Sequence, residues 1–319
     1  MTVRMDPADL RAAIAGGLLS FPVTDFDAQD RFDLSGYLDR LHWLGEFKAA
    51  GVFPAGGAGE FFSLTFDEYR RVTQAVVQVF GGKIPVIAAA GQGTHAAIAY
   101  AQEAEQLGAD AILLFPPYMT ESPQHGLTRH IEAVCQSTRL GVIVYNRANG
   151  RLQYDSVIAL AHRCPNFIGF KDGLGDIEGI LKIQSILGDR LLFINGMPTA
   201  EIYAQAYSAI GASTYSSALL NFVPALAVDF HRAVLERDTA YLRLVTREFL
   251  APYLDLRSRV PGYSVSIVKA GADAIGRSAG PVRSPLASLN AGERETLSAL
   301  IDVALALPAR AAMPNAAAA

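Results

Sequence analysis

Cysteine and histidine are scarce, and they are not arranged for metal binding. The 319 residues include two cysteines, Cys135 and Cys164, without C-x-x-C spacing, and six histidines without an H-x-x-x-H or H-E-x-x-H pair. Zinc sites rely on such clusters of thiolates and imidazoles, so a metal centre has little support. Both cysteines fall in segments of helical character, and we expect them to be buried, reduced thiols.

Charged residues and long apolar runs are also few. Charged side chains make up 18% of the chain and the formal net charge is −4, which offers no basic surface to nucleic acid or to a membrane. No apolar run approaches the roughly 18 to 20 residues of a membrane span, and the N-terminus lacks the apolar core of a signal peptide. We therefore expect a soluble, cytoplasmic protein.

Short apolar runs recur along the chain, and a segment of helical period follows each one. Eight such runs begin at Gly16, Gly51, Ile84, Ala111, Gly141, Phe167, Leu191 and Ala212. They are continuously apolar, which is typical of parallel strands covered on both faces. Because no glycine-rich phosphate loop follows the first run, the pattern favours an α/β fold of the (β/α)8 TIM-barrel type over a doubly wound sheet.

The strand pattern stops after about Pro224. Four segments beyond it have helical character: 225–236, 239–254, 262–274 and 291–307. We predict that residues 1–235 form the barrel and that residues 236–308 form a C-terminal helical extension packed on it. The alanine-rich residues 309–319 are of low complexity, and we predict that they are disordered.

If the fold is a barrel, the function lies at the carboxyl ends of the strands. The second run leads into the segment GGAGE, Gly56 to Glu60. A loop without bulky side chains lets backbone N–H groups approach a ligand, and a carboxylate suits converging N–H donors. A tight turn between strand and helix is the alternative interpretation.

Two further strand ends carry hydroxyl groups. The fifth run ends in Tyr145, which can relay protons if its hydroxyl lies near a reacting centre, or can be a core aromatic with a satisfied hydroxyl. The eighth run carries a cluster from Ser213 to Ser217. These hydroxyls can bind a small polar substrate, or can simply be satisfied within the strand.

The sixth run, FIGFKDG, ends in Lys171. The chain has only five lysines, and the other four, including Lys269 in the helical tail, lie in turns or helical segments. An amine in an apolar pocket has its charged form disfavoured, which raises the neutral fraction able to attack a carbonyl. Lys171 is therefore a candidate Schiff-base nucleophile. An ion pair with Asp172 or Glu60 is the alternative.

Taken in order, the segments PVTDF, GGAGE, PPYMTESPQHGL, VIVYN and IGFKD resemble a known family. It is the family of class I, Schiff-base (β/α)8 enzymes that includes dihydrodipicolinate synthase and N-acetylneuraminate lyase, and the resemblance spans residues 14 to 235. It implies that Lys171 forms the Schiff base and that Tyr145 relays protons. It also implies that the backbone of Gly57, Ala58 and Gly59 holds the carboxylate next to the keto carbon.

The resemblance also carries expectations about partners. It implies a small keto acid as substrate, a reaction without metal or cofactor, and a homotetramer built as a dimer of dimers. Neither nucleic acid nor a membrane is expected as a partner.

Departures from the family pattern narrow the function. The synthase branch has two threonines at Gly57 and Ala58, a second tyrosine at Met119 and a substrate-binding arginine near Gly150, where this chain has Arg151 one place off. These differences disfavour lysine biosynthesis. The combination GEFFSLT, FPPYM, YNRAN, GFKDG and MPTAE instead resembles the branch of decarboxylating dehydratases that act on keto-deoxy sugar diacids.

A sugar diacid has a second, distal carboxylate that must also be held. We expect the hydroxyls of Ser216 or Ser217 to bind it, with Arg147, Asn149 or Thr199 helping to orient it. Two rival functions remain at this point. One is an aldolase or lyase acting on a 2-keto-3-deoxy sugar acid with the same lysine and tyrosine, and the other is a non-catalytic barrel that binds a keto acid.

Overall fold

Eight short strands, counted over the residues that the structure describes, form the centre of the molecule. The computed structural model describes residues 5–117 and 121–310. The strands are β1 Leu19–Ser20, β2 Gly51–Val52, β3 Ile87–Ala90, β4 Ala111–Leu114, β5 Gly141–Asn146, β6 Phe167–Asp172, β7 Leu192–Asn195 and β8 Ser216–Ser217. Each falls within one of the eight apolar runs of the sequence, so the strand prediction is confirmed.

The strands are parallel and close into a barrel. One sheet has the order β2-β1-β8 and the other runs from β3 to β7 in sequence order. Parallel bridges between Val52 and Val86 and between Asn195 and Tyr215 join the two sheets at both seams. With helices between the strands, this is the predicted (β/α)8 fold.

In the part of the chain that the structure describes, nine α-helices precede or surround the strands. They are α1 Pro7–Ala15, α2 Leu34–Gly45, α3 Phe66–Phe80, α4 Thr94–Leu107, α5 Gln124–Ser137, α6 Tyr154–Arg163, α7 Ile177–Leu187, α8 Ala204–Ala209 and α9 Pro224–Glu236. Helix α3 begins with a capping box, in which Thr65 and Glu68 satisfy each other's backbone N–H groups. Gly108 ends α4 in the left-handed conformation that glycine adopts without steric cost.

The C-terminal extension is helical, as predicted. It contains α10 Thr239–Val245, a π-helical turn Thr246–Leu250, α11 Ala251–Arg257, α12 Tyr263–Ala274 and α13 Ala291–Ala306. Its apolar side chains share one core with the barrel: Phe249 and Ile267 are buried in the same cluster as Leu18 and Tyr215. The division at residues 235 and 236 stays a prediction, and residues 311–319 of the predicted disordered tail lie outside the described residues.

Left-handed backbone concentrates at the carboxyl ends of the strands. Of the eight non-glycine residues with positive φ in the described chain, six lie in the segments between a strand and the α-helix that follows it: Asp30, Ala55, Glu60, Gln92, Ala148 and Thr199. Such conformations cost of order 1–3 kcal/mol each and persist where the surrounding structure holds them, often at functional sites. The loops of this face are therefore held in shapes that the chain would not adopt alone.

The structure also shows the state of the two cysteines and the character of the helices. Cys135 and Cys164 are buried and free, as expected. Within the described ranges, no helix combines the length and the apolar character required to cross a membrane.

Candidate active site

Lys171 and Tyr145 lie side by side where β5 and β6 end. The parallel register pairs Tyr145 with Lys171, and both side chains are buried. The Lys171 amine lies 4.2 Å from the centre of the Phe21 ring and 4.6 Å from that of the Tyr145 ring. The two residues predicted to be catalytic are therefore neighbours in an apolar setting.

Neither carboxylate that the sequence offered as an ion-pair partner of Lys171 is available to it. Glu60 pairs with Lys269, with 2.8 Å between the charged atoms. Asp172 caps the turn that follows β6 and accepts a hydrogen bond from the Tyr207 hydroxyl at 2.5 Å. The charged form of the Lys171 amine is therefore desolvated without compensation from these groups.

The pKa of Lys171 follows from this environment. Burial, the larger cause, and the positive charge of Arg147 together lower the pKa to about 7. At neutral pH a large fraction of the amine is therefore unprotonated. Since only the neutral amine attacks a carbonyl carbon, the site prepares Lys171 for imine formation.

The hydroxyl of Tyr145 has a defined orientation. It donates a hydrogen bond to the Gly196 carbonyl at 2.7 Å and accepts one from Arg147 at 3.2 Å. Burial raises the pKa of Tyr145, so the hydroxyl keeps its proton at neutral pH and can donate it. Gly196 leaves no room for a side chain, because a Cβ there would lie 2.7 Å from Lys171 Cγ and 2.9 Å from the Tyr145 ring.

The loop after β2 presents backbone donors to the same space. The N–H of Glu60 donates to the Gly57 carbonyl at 3.2 Å and that of Phe61 to the Gly56 carbonyl at 3.3 Å, which closes the turn. Among the hydrogen bonds of the described residues, the N–H groups of Gly57 and Ala58 have no acceptor in the protein. A Cβ at Gly57 would meet nothing within 4 Å. The loop can therefore receive a carboxylate.

These groups border a cavity of about 430 Å³ at the carboxyl ends of the strands. Seven residues singled out in the sequence line it: Gly57, Ala58, Tyr145, Arg147, Lys171, Thr199 and Ser216. Apolar side chains complete the wall, among them Phe21, Phe62, Phe115 and Met197. A mainly apolar cavity with a few converging polar groups is typical of a small-molecule site.

Three predicted site residues do not line this cavity. A Cβ on Gly59 would lie 3.1 Å from neighbouring backbone, so this glycine permits a close turn. Asn149 is exposed on a 3₁₀ turn after β5. Ser217 is buried and donates a hydrogen bond to Glu201 at 2.5 Å, because successive residues of a strand point to opposite faces and its neighbour Ser216 faces the cavity.

Glu201 was not predicted from the sequence. Its side chain is buried, and burial raises its pKa to about 7, against the opposing effect of the Ser217 hydrogen bond. The second carboxyl oxygen accepts no hydrogen bond from any described residue. A carboxyl group with a pKa near neutrality is thus hydrogen-bonded to Ser217, the neighbour of Ser216 in the cavity wall. The only sequence signal was its place in MPTAE, shortly after β7.

The C-terminal extension also contributes to the cavity, which the sequence did not indicate. Its wall includes Tyr253, Gly262, Ser264, Val265 and Leu286. From α11, Arg257 donates to the Pro198 carbonyl at 3.0 Å and to the Thr199 hydroxyl at 2.8 Å. The extension therefore fixes part of the loop after β7, although no local pattern in the sequence joins these distant segments.

Positions that differ from the synthase pattern are only partly described. Gly150 packs closely on Pro116, and Arg151 is exposed. Met119 lies outside the described residues. Among the residues that are described, no group of three or more His, Cys, Asp and Glu side chains is placed to hold a metal ion.

Comparison with known proteins gives similar sequences over nearly the whole chain. A sequence profile of the dihydrodipicolinate synthetase family matches residues 14–304. The chain is 53% identical over 298 residues to a protein of Variovorax paradoxus (strain S110) described as "Probable 5-dehydro-4-deoxyglucarate dehydratase", covering 93% of this chain and 98% of the relative. A relative with the same description from Pseudomonas putida (strain W619) is 51% identical, with the same coverage.

Solved structures have the same fold. Dihydrodipicolinate synthase from Oceanobacillus iheyensis superposes with a TM-score of 0.84 at 24% identity, covering 93% of this chain and 98% of that one. The synthase from Bacillus clausii gives a TM-score of 0.84 at 22% identity, covering 92% and 98%. At this identity the likeness concerns the fold alone. From the profile match and the relatives at more than half identity, the chain belongs to the dihydrodipicolinate synthetase family.

Proposed function

We propose that this protein is a carbon–oxygen lyase, a class I Schiff-base dehydratase that also decarboxylates its substrate. It converts 5-dehydro-4-deoxy-D-glucarate into 2,5-dioxopentanoate, water and carbon dioxide in the catabolism of sugar diacids. The observation that carries the proposal is the buried Lys171 amine, with its lowered pKa, beside the Tyr145 hydroxyl. The description shared by relatives at more than 50% identity supports this choice of substrate.

Binding begins at the end of the substrate that carries the ketone. The carboxylate beside the ketone accepts hydrogen bonds from the N–H groups of Gly57 and Ala58. This places the keto carbon at the Lys171 amine, which adds to it and, with loss of water, forms the imine. Tyr145 moves the protons that this step requires, since its hydroxyl borders the same cavity.

The protonated imine makes dehydration possible. It acidifies the neighbouring methylene, whose proton leaves to give an enamine. The enamine then expels the hydroxyl group on the next carbon as water, and Tyr145 supplies a proton to that leaving group. The product of this step is a conjugated iminium ion.

The iminium ion also drives decarboxylation. The electrons of the bond between the distal carboxylate and its carbon move into the conjugated system, and carbon dioxide leaves. The resulting enol becomes an aldehyde after protonation, and water hydrolyses the imine to release 2,5-dioxopentanoate and free Lys171. The six carbons of the substrate are thus divided into a five-carbon product and carbon dioxide.

The distal carboxylate must be held without excessive stabilisation of its charge. Ser216, Thr199 and Arg147 line the cavity; we assign the contact to the Ser216 hydroxyl, with Thr199 and Arg147 helping to orient the carboxylate. Ser217 and Asn149 are directed elsewhere, and we assign them no direct contact with the substrate. Neutral hydroxyl donors suit a carboxylate that has to be lost, because they bind it less strongly than a second cation would.

We also propose a cellular location and an oligomeric state for the enzyme. We place it in the cytoplasm, where the two buried cysteines would stay reduced. We propose a homotetramer built as a dimer of dimers, in keeping with the family resemblance. Light scattering during size-exclusion chromatography would measure the number of subunits.

Product analysis tests the function. The purified protein is incubated with 5-dehydro-4-deoxy-D-glucarate, and carbon dioxide and 2,5-dioxopentanoate are measured together. We expect them in equal amounts. Release of pyruvate from the same substrate would instead establish an aldolase, and binding without any product would establish a keto-acid-binding barrel.

A further inference from the structure

A buried ion pair links the C-terminal extension to the loop after β2. Lys269 on α12 and Glu60 at the end of the GGAGE segment are both buried, and their charged atoms lie 2.8 Å apart. The Lys269 amine also donates a hydrogen bond to the Pro281 carbonyl at 2.8 Å and lies 4.1 Å from the centre of the Phe26 ring. The proposed reaction uses neither charge.

The backbone of Glu60 explains why this link bears on the site. Glu60 has φ 57° and ψ 40°, a left-handed conformation that is unfavourable for residues other than glycine. In that conformation its N–H closes the turn on the Gly57 carbonyl. Gly57 and Ala58 belong to this turn and line the cavity, and their N–H groups have no acceptor among the described residues. A change in the Glu60 backbone therefore rotates the donors proposed to bind the first carboxylate.

Other contacts hold the same turn from outside. The backbone N–H of Arg283 donates to the second Glu60 carboxyl oxygen at 2.9 Å, and its guanidinium group donates to the Ser63 carbonyl at 3.1 Å. Thr24 donates its hydroxyl to the Gly59 carbonyl at 2.7 Å. These bonds occupy carbonyl and carboxyl oxygens. They leave the two N–H groups of the loop to the cavity.

We propose that Lys269 is a positioning residue for substrate binding: through Glu60 it holds the loop Gly56–Gly59 in the shape that binds the carboxylate beside the ketone. The inference rests on the proposed function, because it assumes that this loop receives a substrate carboxylate. Lys269 acts through Glu60 and does not contact the substrate.

A role in stability alone predicts a different result. If the ion pair only joins extension and barrel, its loss lowers the melting temperature and leaves ligand recognition unchanged. If it sets the loop, its loss weakens binding of ligands that carry a carboxylate next to the ketone, and spares ketones that lack one. Two probes of this kind separate the possibilities.

The experiment uses pyruvate and butanone with borohydride reduction. Each ketone forms an imine with Lys171, reduction makes it permanent, and mass spectrometry gives the concentration for half-maximal labelling. In Lys269→Met we expect this concentration to rise about tenfold for pyruvate and to stay unchanged for butanone. With the sugar diacid, KM should rise while kcat at saturation changes little.

A matched control distinguishes loosening of the extension from an effect on the loop. Arg294 on α13 forms an ion pair with Asp273, at 3.0 Å, within the same extension, and among the described residues it has no hydrogen bond or ion pair with the GGAGE segment. Arg294→Met should leave the half-maximal concentrations of both probes unchanged. Because Lys269→Met leaves the Glu60 charge without its partner, the double variant Lys269→Met with Glu60→Gln removes both charges and guards against misfolding.

The outcomes are distinct. A selective loss of pyruvate labelling in either the single or the double variant supports the proposal. Equal loss for both ketones, or unchanged pyruvate labelling in the folded double variant, overturns it and leaves Lys171 as the nucleophile. Failure of the unmodified protein to be labelled at Lys171 by pyruvate and by butanone overturns the proposed function, and this inference with it.

Discussion

Two lysines, Lys171 and Lys269, are buried, but the groups that surround their amines differ. Each has about 3% of its surface exposed, and each amine lies within 4.2 Å of a phenylalanine ring centre. Lys269 has the Glu60 carboxylate 2.8 Å away. Lys171 has in its place the Tyr145 ring and, further out, the like charge of Arg147.

The charged group near each amine determines its reactivity. Burial lowers the pKa of both amines, but the Glu60 charge opposes the effect at Lys269, whereas Arg147 reinforces it at Lys171. Lys269 therefore has a carboxylate to balance its charge in a salt bridge, whereas Lys171, with a pKa of about 7, becomes a nucleophile near neutral pH. Similar burial thus gives a structural charge in one region and a reactive amine in the other.

The two lysines should differ most in their effect on turnover when each is replaced by methionine. Lys171→Met removes the atom that forms the imine, and we expect kcat to fall by at least about 10⁴-fold. Lys269→Met should keep kcat within a few-fold of the unmodified enzyme. Release of carbon dioxide from the keto-deoxy diacid measures both. If Lys171→Met retained more than a few per cent of turnover, Lys171 would not be the nucleophile.

The same two variants should have opposite effects on stability. Lys171→Met removes an uncompensated buried amine and should stabilise the fold by up to about 5 kcal/mol, since each pKa unit corresponds to about 1.4 kcal/mol. Lys269→Met leaves the Glu60 charge alone and should destabilise it by roughly 3–5 kcal/mol. Denaturant unfolding of each variant gives these differences.

The effect at Lys171 should also depend on pH. The pKa of Lys171 in the folded protein, about 7, lies below the ordinary 10.5. The buried lysine therefore lowers the free energy of unfolding by its full amount below pH 7. This destabilisation fades as the pH rises from about 7 towards 10.5, because in that range the Lys171 amine is protonated in the unfolded chain but not in the folded protein. The advantage of Lys171→Met should be greater at pH 6 than at pH 9. An advantage independent of pH would contradict the lowered pKa.

Tyr145→Phe should sharpen the contrast by changing only the neighbour of Lys171. The ring remains beside the amine, whereas the hydroxyl that donates to Gly196 and accepts from Arg147 is lost. We expect kcat to fall about 10²–10³-fold, the usual scale for loss of an acid–base group, while Lys171 is still labelled by borohydride. Tyr37→Phe is the control, since that buried hydroxyl has no described hydrogen-bond partner and lies outside the cavity wall.

The smallest expected effect concerns Arg147. Its positive charge contributes to the lowered pKa of Lys171, so Arg147→Gln should raise that pKa only slightly, because burial is the larger cause and Arg147 is exposed and screened by solvent. The rate of imine formation, measured against pH in single turnovers, should reach its plateau at higher pH. Arg151→Gln, also exposed but not a cause of the shift, should leave the profile in place.

The sequence was sufficient for the features that depend on local pattern. Strands covered on both faces are continuously apolar, so the eight strands could be located, and the carboxyl ends of parallel strands meet at one face. Lys171 and Tyr145 could therefore be expected near each other, and the register of β5 and β6 makes them neighbours.

The sequence was not sufficient for contacts between distant segments. The sequence placed Lys269 in the helical tail, where it lies, but did not indicate its ion pair, because its partner Glu60 belongs to a loop that only folding brings to it. The choice between Ser216 and Ser217 depends on which face of β8 turns inwards, and two residues carry no periodicity from which to decide. The sequence also did not indicate that Tyr253 lines the cavity, because its segment is distant along the chain and only folding brings it to the site.

The most direct test of the central claim is the site of the covalent adduct. The enzyme is incubated with 5-dehydro-4-deoxy-D-glucarate, reduced with borohydride, digested and mapped by mass spectrometry. The contrast between the two buried lysines predicts a substrate-dependent adduct on the peptide that contains Lys171, and none on the peptide that contains Lys269. An adduct on Lys269, or catalytic turnover with no adduct on Lys171, would contradict it.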